Sequence, residues 1–149
     1  MGGVRTLSGA GVLSSARRDG PGPHARGAAF VKVLLADDDR LIRAMLGDLL
    51  AELGHEVTAA ADGAEAVAAC ARFAPDLVIL DFLMPRLSGL DALKELRRSG
   101  LRAPAVLLTA ITDGSLREVE GVDVVGAVLE KPFTRRTLER AIARAMRAP

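Results

Sequence analysis

Three carboxylates in a row, Asp37, Asp38 and Asp39, follow the apolar run in "VKVLLADDDR". Like charges about 4 Å apart repel by about 1 kcal/mol in water and by several times that where water is partly excluded. A fold keeps such a cluster where it caps a helix, where it stands in open solvent, or where it holds a cation. Three further polar groups close later apolar runs. Asp81 ends "PDLVILD", Thr109 ends "AVLLT", and Lys131 follows "GAVLE". The set comprises carboxylates, a hydroxyl and an ammonium, and hydrophobic patterning alone would not produce it.

Strand and helix signals alternate along the chain and position these groups. Phe30–Ala36 reads as a buried strand, and Arg40–Leu53 as a helix whose stripe is Leu41, Ile42, Met45, Leu46, Leu49, Leu50 and Leu53. His55–Ala61 is a weaker strand, and Asp62–Phe73 a helix stopped before Pro75. Leu77–Leu80 is the clearest strand, followed by a short amphipathic helix within "SGLDALKELRRSG". "APAVLLTA" reads as the fourth strand, "DGSLREVEGV" as a weak helix, "GAVLE" as the fifth strand and Thr134–Arg147 as the last helix. Short apolar strands alternating with helices predict an α/β fold, a doubly wound five-stranded parallel sheet covered on both faces. Ligands of such sheets bind beyond the carboxyl ends of the strands, which is where the four polar groups fall.

Asp39 directly precedes the first helix and reads as its N-cap. One helix uses one cap, so Asp37 and Asp38 need another reason. Cys70 is the only cysteine, which fits a reducing cytoplasm and a packed thiol. No run reaches the ~18 apolar residues of a membrane span. Residues 1–29 hold four Arg and one Asp, and read as a disordered Gly/Ser/Arg-rich tail. A transit peptide and a misassigned start both remain open there, whereas a secretory signal does not fit. Residues 30–149, the expected folded domain, carry 16 basic and 18 acidic residues. With that balance, no Trp or Tyr and four Phe, direct DNA binding and base stacking are not expected.

"VLLADDD", "PDLVILDFLMPRLSG", "AVLLTA" and "EKPF", in that order, resemble the receiver domain of two-component response regulators. The resemblance spans about residues 30–147, with 43 residues from Asp38 to Asp81 and 22 from Thr109 to Lys131. It implies the flavodoxin-like (βα)5 strand order 2-1-3-4-5, an order known for such folds. It also implies that Asp81 is the phosphoacceptor, and that Asp37, Asp38, Asp81 and the backbone carbonyl of Leu83 hold Mg²⁺. Thr109 and Lys131 would contact phosphoryl oxygens, and the Lys131–Pro132 bond would be cis. The donor would be a sensor histidine kinase or a phosphotransfer protein. The chemistry agrees. A carboxylate attacking an anionic donor needs its charge neutralised, and hard oxygen ligands suit Mg²⁺.

The chain departs from the family in three places. Val128 stands where many receivers have Tyr or Phe. Leu83 and Ile111, apolar, stand two residues past Asp81 and Thr109, which predicts slow hydrolysis of an acyl phosphate. Thr137, flanked by Arg135 and Arg136, stands where DNA-binding members often carry an acid. With Pro149 two residues past the last helix, the expectation is a stand-alone cytoplasmic receiver that switches its binding to an unidentified downstream protein, without DNA or membrane contact and not an enzyme in its own right. A phosphorelay intermediate and a non-phosphorylated receiver-like scaffold are the alternatives. A receiver-like scaffold would lack the acids or the lysine, and a haloacid-dehalogenase-like phosphohydrolase would carry its nucleophile on the first strand.

Overall fold

The computed structural model describes residues 5–6, 30–119, 121 and 125–147. Six strands form one sheet in the order β1-β3-β2-β4-β5-β6. They are β1 (Arg5–Thr6), β2 (Lys32–Ala36), β3 (Glu56–Ala60), β4 (Leu77–Asp81), β5 (Ala105–Thr109) and β6 (Ala127–Glu130). β2 to β6 are all parallel and, counted among themselves, run 2-1-3-4-5, as expected.

The alternation along each strand separates two cores. Val33, Leu35, Ile79 and Leu108 point to the face covered by α1 (Arg40–Glu52) and α4 (Arg135–Arg147). Leu34, Val78, Leu80 and Leu107 point to the face covered by α2 (Gly63–Phe73) and α3 (Gly89–Arg98). In β4 and β5 every side chain is buried whichever way it points, so those runs carry no polar alternation, whereas β6 at the rim alternates buried and exposed positions.

Caps decide where the first three helices begin. Asp39 accepts from the Leu41 and Ile42 amides at 2.9 and 3.2 Å, in keeping with its reading as a cap. Asp62 accepts from Glu65 N at 2.8 Å, and Ser88 from Asp91 N at 3.1 Å. At α4, Thr134 and Thr137 exchange bonds: each hydroxyl accepts from the other's amide, at 3.1 and 2.9 Å. Thr137 thus has a local structural use. Among the described residues no helix is long and apolar enough to cross a membrane.

Three features differ from the sequence reading. Residues 1–29 show no strand period, yet Arg5 and Thr6 pair antiparallel with Ala59 and Thr58. The rest of that segment, and with it most of the expected disordered tail, lies outside the described residues. The weak fourth helix shrinks to a single 3-10 turn, Ser115–Glu118, with Gly114 at φ 88° before it. In α1, Leu41 and Met45 are 80% and 49% exposed, while Leu46 and Leu50 are fully buried. The seven-residue stripe is wider than the strip of helix the sheet can cover, so one flank of it faces solvent.

Candidate functional site

Adjacent strands bring the polar groups to one edge of the sheet. Ala36 of β2 is level with Leu80 of β4, so Asp37 and Asp81 sit side by side. Asp81 is level with Leu108 of β5, and Thr109 with Glu130 of β6, which delivers Lys131 next. The Lys131 amide donates to Thr109 O at 2.8 Å, and the Lys131–Pro132 bond is cis.

Asp37, Asp38 and Asp81 each offer a carboxylate oxygen, and these oxygens lie within 4.8 Å of one another. Asp37 and Asp81 are buried and Asp38 is exposed. Asp37 Oδ1 accepts from the Asp39 amide at 2.8 Å, while its Oδ2 is buried with no hydrogen-bond partner. The nearest cation to that oxygen is Lys131 Nζ at 3.4 Å, beyond good hydrogen-bonding distance. The same ammonium donates to Asp81 Oδ1 at 2.9 Å. Arg43 reaches back from α1 and donates to the Asp37 carbonyl at 2.7 Å, which fixes the turn that carries the acids.

Burial first, and charge crowding after it, set the proton affinities. Burial raises the Asp81 carboxyl to about 6, with Asp37 and Asp38 adding to the rise and Lys131 opposing it. Burial also raises Asp37, against the Asp39 amide and Lys131. For Lys131 burial works downward, but its hydrogen bond to Asp81 and the charges of Asp37 and Asp81 leave it raised. One lysine therefore does not neutralise the site. An orphaned buried oxygen within a set of hard oxygen donors fits a small divalent cation such as Mg²⁺.

Leu83 lies in the loop after β4 with its side chain 64% exposed. Thr109 is buried, and its hydroxyl accepts from the Ile111 amide at 2.9 Å. Val128 is 44% exposed on β6, with no aromatic ring to turn inward.

Sequence reasoning placed a turn at Met84–Gly89 behind Asp81 but missed the contacts that hold it. A Cβ on Gly89 would lie 2.2 Å from the Asp81 carbonyl oxygen, so only glycine lets α3 start that close. A Cβ on Gly63 would lie 2.7 Å from the Leu87 carbonyl oxygen. Arg86 forms an ion pair with Asp62 across 24 positions of chain. A glycine after an acid and a "PRLSG" turn are visible in the sequence, but not that they meet.

Comparison with known proteins adds the following. A family model for the response regulator receiver domain matches residues 33–143. Response regulator MprA of Mycobacterium sp. (strain KMS) is 43% identical over 120 residues, 79% of this chain and 50% of that protein. The probable transcriptional regulator ycf27 of Porphyridium aerugineum is 39% identical over 118 residues, 78% of this chain and 48% of that protein. Among solved structures, chemotaxis protein CheY4 of Vibrio cholerae superposes with TM-score 0.72 at 35% identity, covering 78% of this chain and 99% of that one. The receiver domain of sensor histidine kinase PA1611 from Pseudomonas aeruginosa, with a magnesium ion coordinated in its active site cleft, gives TM-score 0.72 at 31% identity, covering 80% and 100%.

The chain spans about half the length of the curated relatives it matches. That corrects the expected partners. The exclusion of DNA rested on the charge and aromatic content of residues 30–149, on Thr137 and on the place where the chain ends, and these speak only for this domain. Relatives twice as long, one of them a probable transcriptional regulator, overturn it. A balanced charge on one domain says nothing about the polymer that the whole protein acts on.

Proposed function

The chain belongs to the response regulator receiver domain family, and from that membership we propose that Asp81 takes a phosphoryl group from the phosphohistidine of a histidine kinase. Receiver domains are signalling modules rather than classical enzymes. In the reaction proposed here, an Asp81 carboxylate oxygen forms the new O–P bond as the donor's N–P bond breaks, and the released imidazole takes up a proton.

The observation that carries this reading is the convergence of Asp37, Asp38 and Asp81 around a buried oxygen that lacks a hydrogen bond, with Lys131 alongside. Asp37, Asp38, Asp81 and the Leu83 carbonyl would hold Mg²⁺, which when bound offsets the negative charge of the acids and the incoming phosphoryl oxygens. Lys131 supplies a second, fixed positive charge. Thr109 is placed to report the event. Its oxygen already accepts from the Ile111 amide, which leaves the hydroxyl hydrogen free to donate to a phosphoryl oxygen. Movement of that hydroxyl would draw the loop after β5 with it and change what the domain engages. A cytoplasmic setting fits the buried free thiol of Cys70.

Intact mass after incubation with Mg²⁺ and acetyl phosphate or phosphoramidate tests the proposal. The expected result is a gain of one phosphoryl group that is lost in Asp81→Asn and in EDTA. An Asp81→Asn protein that gains the same mass, or a wild-type protein that gains none from either donor, refutes it.

A further inference from the structure

The loop from Phe82 to Ser88 begins directly behind the phosphoacceptor, and something must hold it. Its own backbone bonds are few: Leu87 N donates to Pro85 O at 2.7 Å, and Gly89 N to Phe82 O at 2.9 Å. Arg86 sits in the left-handed region at φ 70°, a conformation that side-chain-bearing residues avoid unless their surroundings impose it. One contact of this residue reaches across the loop. The Arg86 guanidinium pairs with Asp62 Oδ2 at the start of α2.

Asp62 is well placed as an anchor. It is only 7% exposed, and its other oxygen accepts from the Glu65 amide at 2.8 Å. That amide, the burial that opposes it and the Arg86 guanidinium leave the carboxyl below its ordinary range, so it is charged at neutral pH. Directly beside the ion pair, the loop backbone rests on α2. Gly63 leaves room for the Leu87 carbonyl, which a Cβ there would meet at 2.7 Å. The loop is thus fixed at Gly89 by its approach to Asp81, at Leu87 by Gly63, and at Arg86 by Asp62.

We infer that Arg86 is a positioning residue: its ion pair with Asp62 holds the Phe82–Ser88 loop against α2 and so fixes where the Leu83 carbonyl stands relative to the acid cluster, setting the affinity for Mg²⁺. The inference rests on the reading of Asp37, Asp38 and Asp81 as a magnesium site. It adds two residues that are not ligands.

Two substitutions remove the pair and leave the local backbone satisfied. Arg86→Gly suits the left-handed conformation better than arginine does. Asp62→Asn keeps a side-chain oxygen that caps α2 as well as aspartate does. Isothermal titration of the full chain with MgCl₂ gives the affinity, and melting in EDTA gives the metal-free stability. Either substitution is expected to weaken Mg²⁺ binding about two- to fivefold, the range for an ion pair with one exposed partner. The double variant is expected to be no weaker than the single ones, and melting in EDTA to shift by no more than about 4 °C, as the loss of one such ion pair allows. Wild-type affinity in both single variants overturns the inference. Losses that multiply in the double variant overturn it as well, because the two residues would then act separately. Asp38→Asn separates this failure from that of the underlying reading. If Asp38→Asn abolishes binding and the pair variants bind normally, only the positioning role is wrong. If the wild type takes up no Mg²⁺, the magnesium site itself is wrong and the inference goes with it.

Discussion

Replacing Asp81 by asparagine should make the metal-free protein more stable. Three carboxylates share one ammonium, and Asp81 is 6% exposed. Its carboxyl is raised from 3.8 to about 6, with burial as the first cause and the neighbouring acids adding to it. At 1.36 kcal/mol per pH unit, ionising Asp81 in the folded state costs about 3 kcal/mol at pH 7. That net figure already contains the attraction of Lys131, so it is a ceiling for the gain. Asparagine keeps the shape but only one acceptor oxygen, which leaves an expected gain of about 1–3 kcal/mol. For a chain of this size the melting temperature rises by about 2–4 °C per kcal/mol. The pH dependence has a definite sign. Between pH 3.8 and about 6 the folded chain binds more protons than the unfolded chain, so the wild type loses stability as pH rises through that window. The variant has no such loss. Its advantage should therefore be absent near pH 4, grow up to pH 6 and stay level above it. Thermal melts in EDTA at several pH values measure this. Added Mg²⁺ should narrow the gap, because the ion stabilises the wild type by mass action. An Asp81→Asn chain no more stable than wild type at pH 7.5 in EDTA refutes the reasoning.

Gly89→Ala places a methyl group 2.2 Å from the Asp81 carbonyl oxygen. It should cost about 1–3 kcal/mol in urea unfolding and slow phosphorylation by acetyl phosphate. Leu46→Ala empties a fully buried position and should cost about 2–5 kcal/mol, whereas Leu41→Ala, at 80% exposure, should fall within about 0.5 kcal/mol of wild type. Equal losses at the two positions would refute the assignment of Leu41 to the solvent-facing flank of α1. Because neither Leu83 nor Ile111 can orient an attacking water, radiolabelled acyl phosphate should persist, and a half-life of only seconds contradicts that view.

The strand ends were legible from the sequence because burial on both faces makes each strand a short apolar run, and the first residue after it is where polarity returns. Asp37, Asp81, Thr109 and Lys131 were found in that way. Asp39 was legible as a cap because capping is local. Leu41 and Met45 were not, since a helical period gives the stripe but not how much of it a neighbouring sheet will cover. The helix expected between β5 and β6 failed for a related reason. "DGSLREVEGV" has only Leu116 and Val119 to bury before Gly121, too little to hold more than one turn at the sheet. Arg86 and Asp62 lie 24 residues apart and meet only through the fold. Nor could DNA have been excluded from composition, because that argument measured one surface of one domain.

The two rims of the sheet are unlike. One is partly closed, since Arg5 and Thr6 occupy the outer side of β3 at Ala59 and Thr58. The other, β6, has no strand beyond it among the described residues. Endless growth of a sheet from copy to copy requires two open rims on every molecule. Here one rim ends in a strand of only two residues, β1, and the other in the four-residue β6, so the longer ladder that a second copy could add runs along β6.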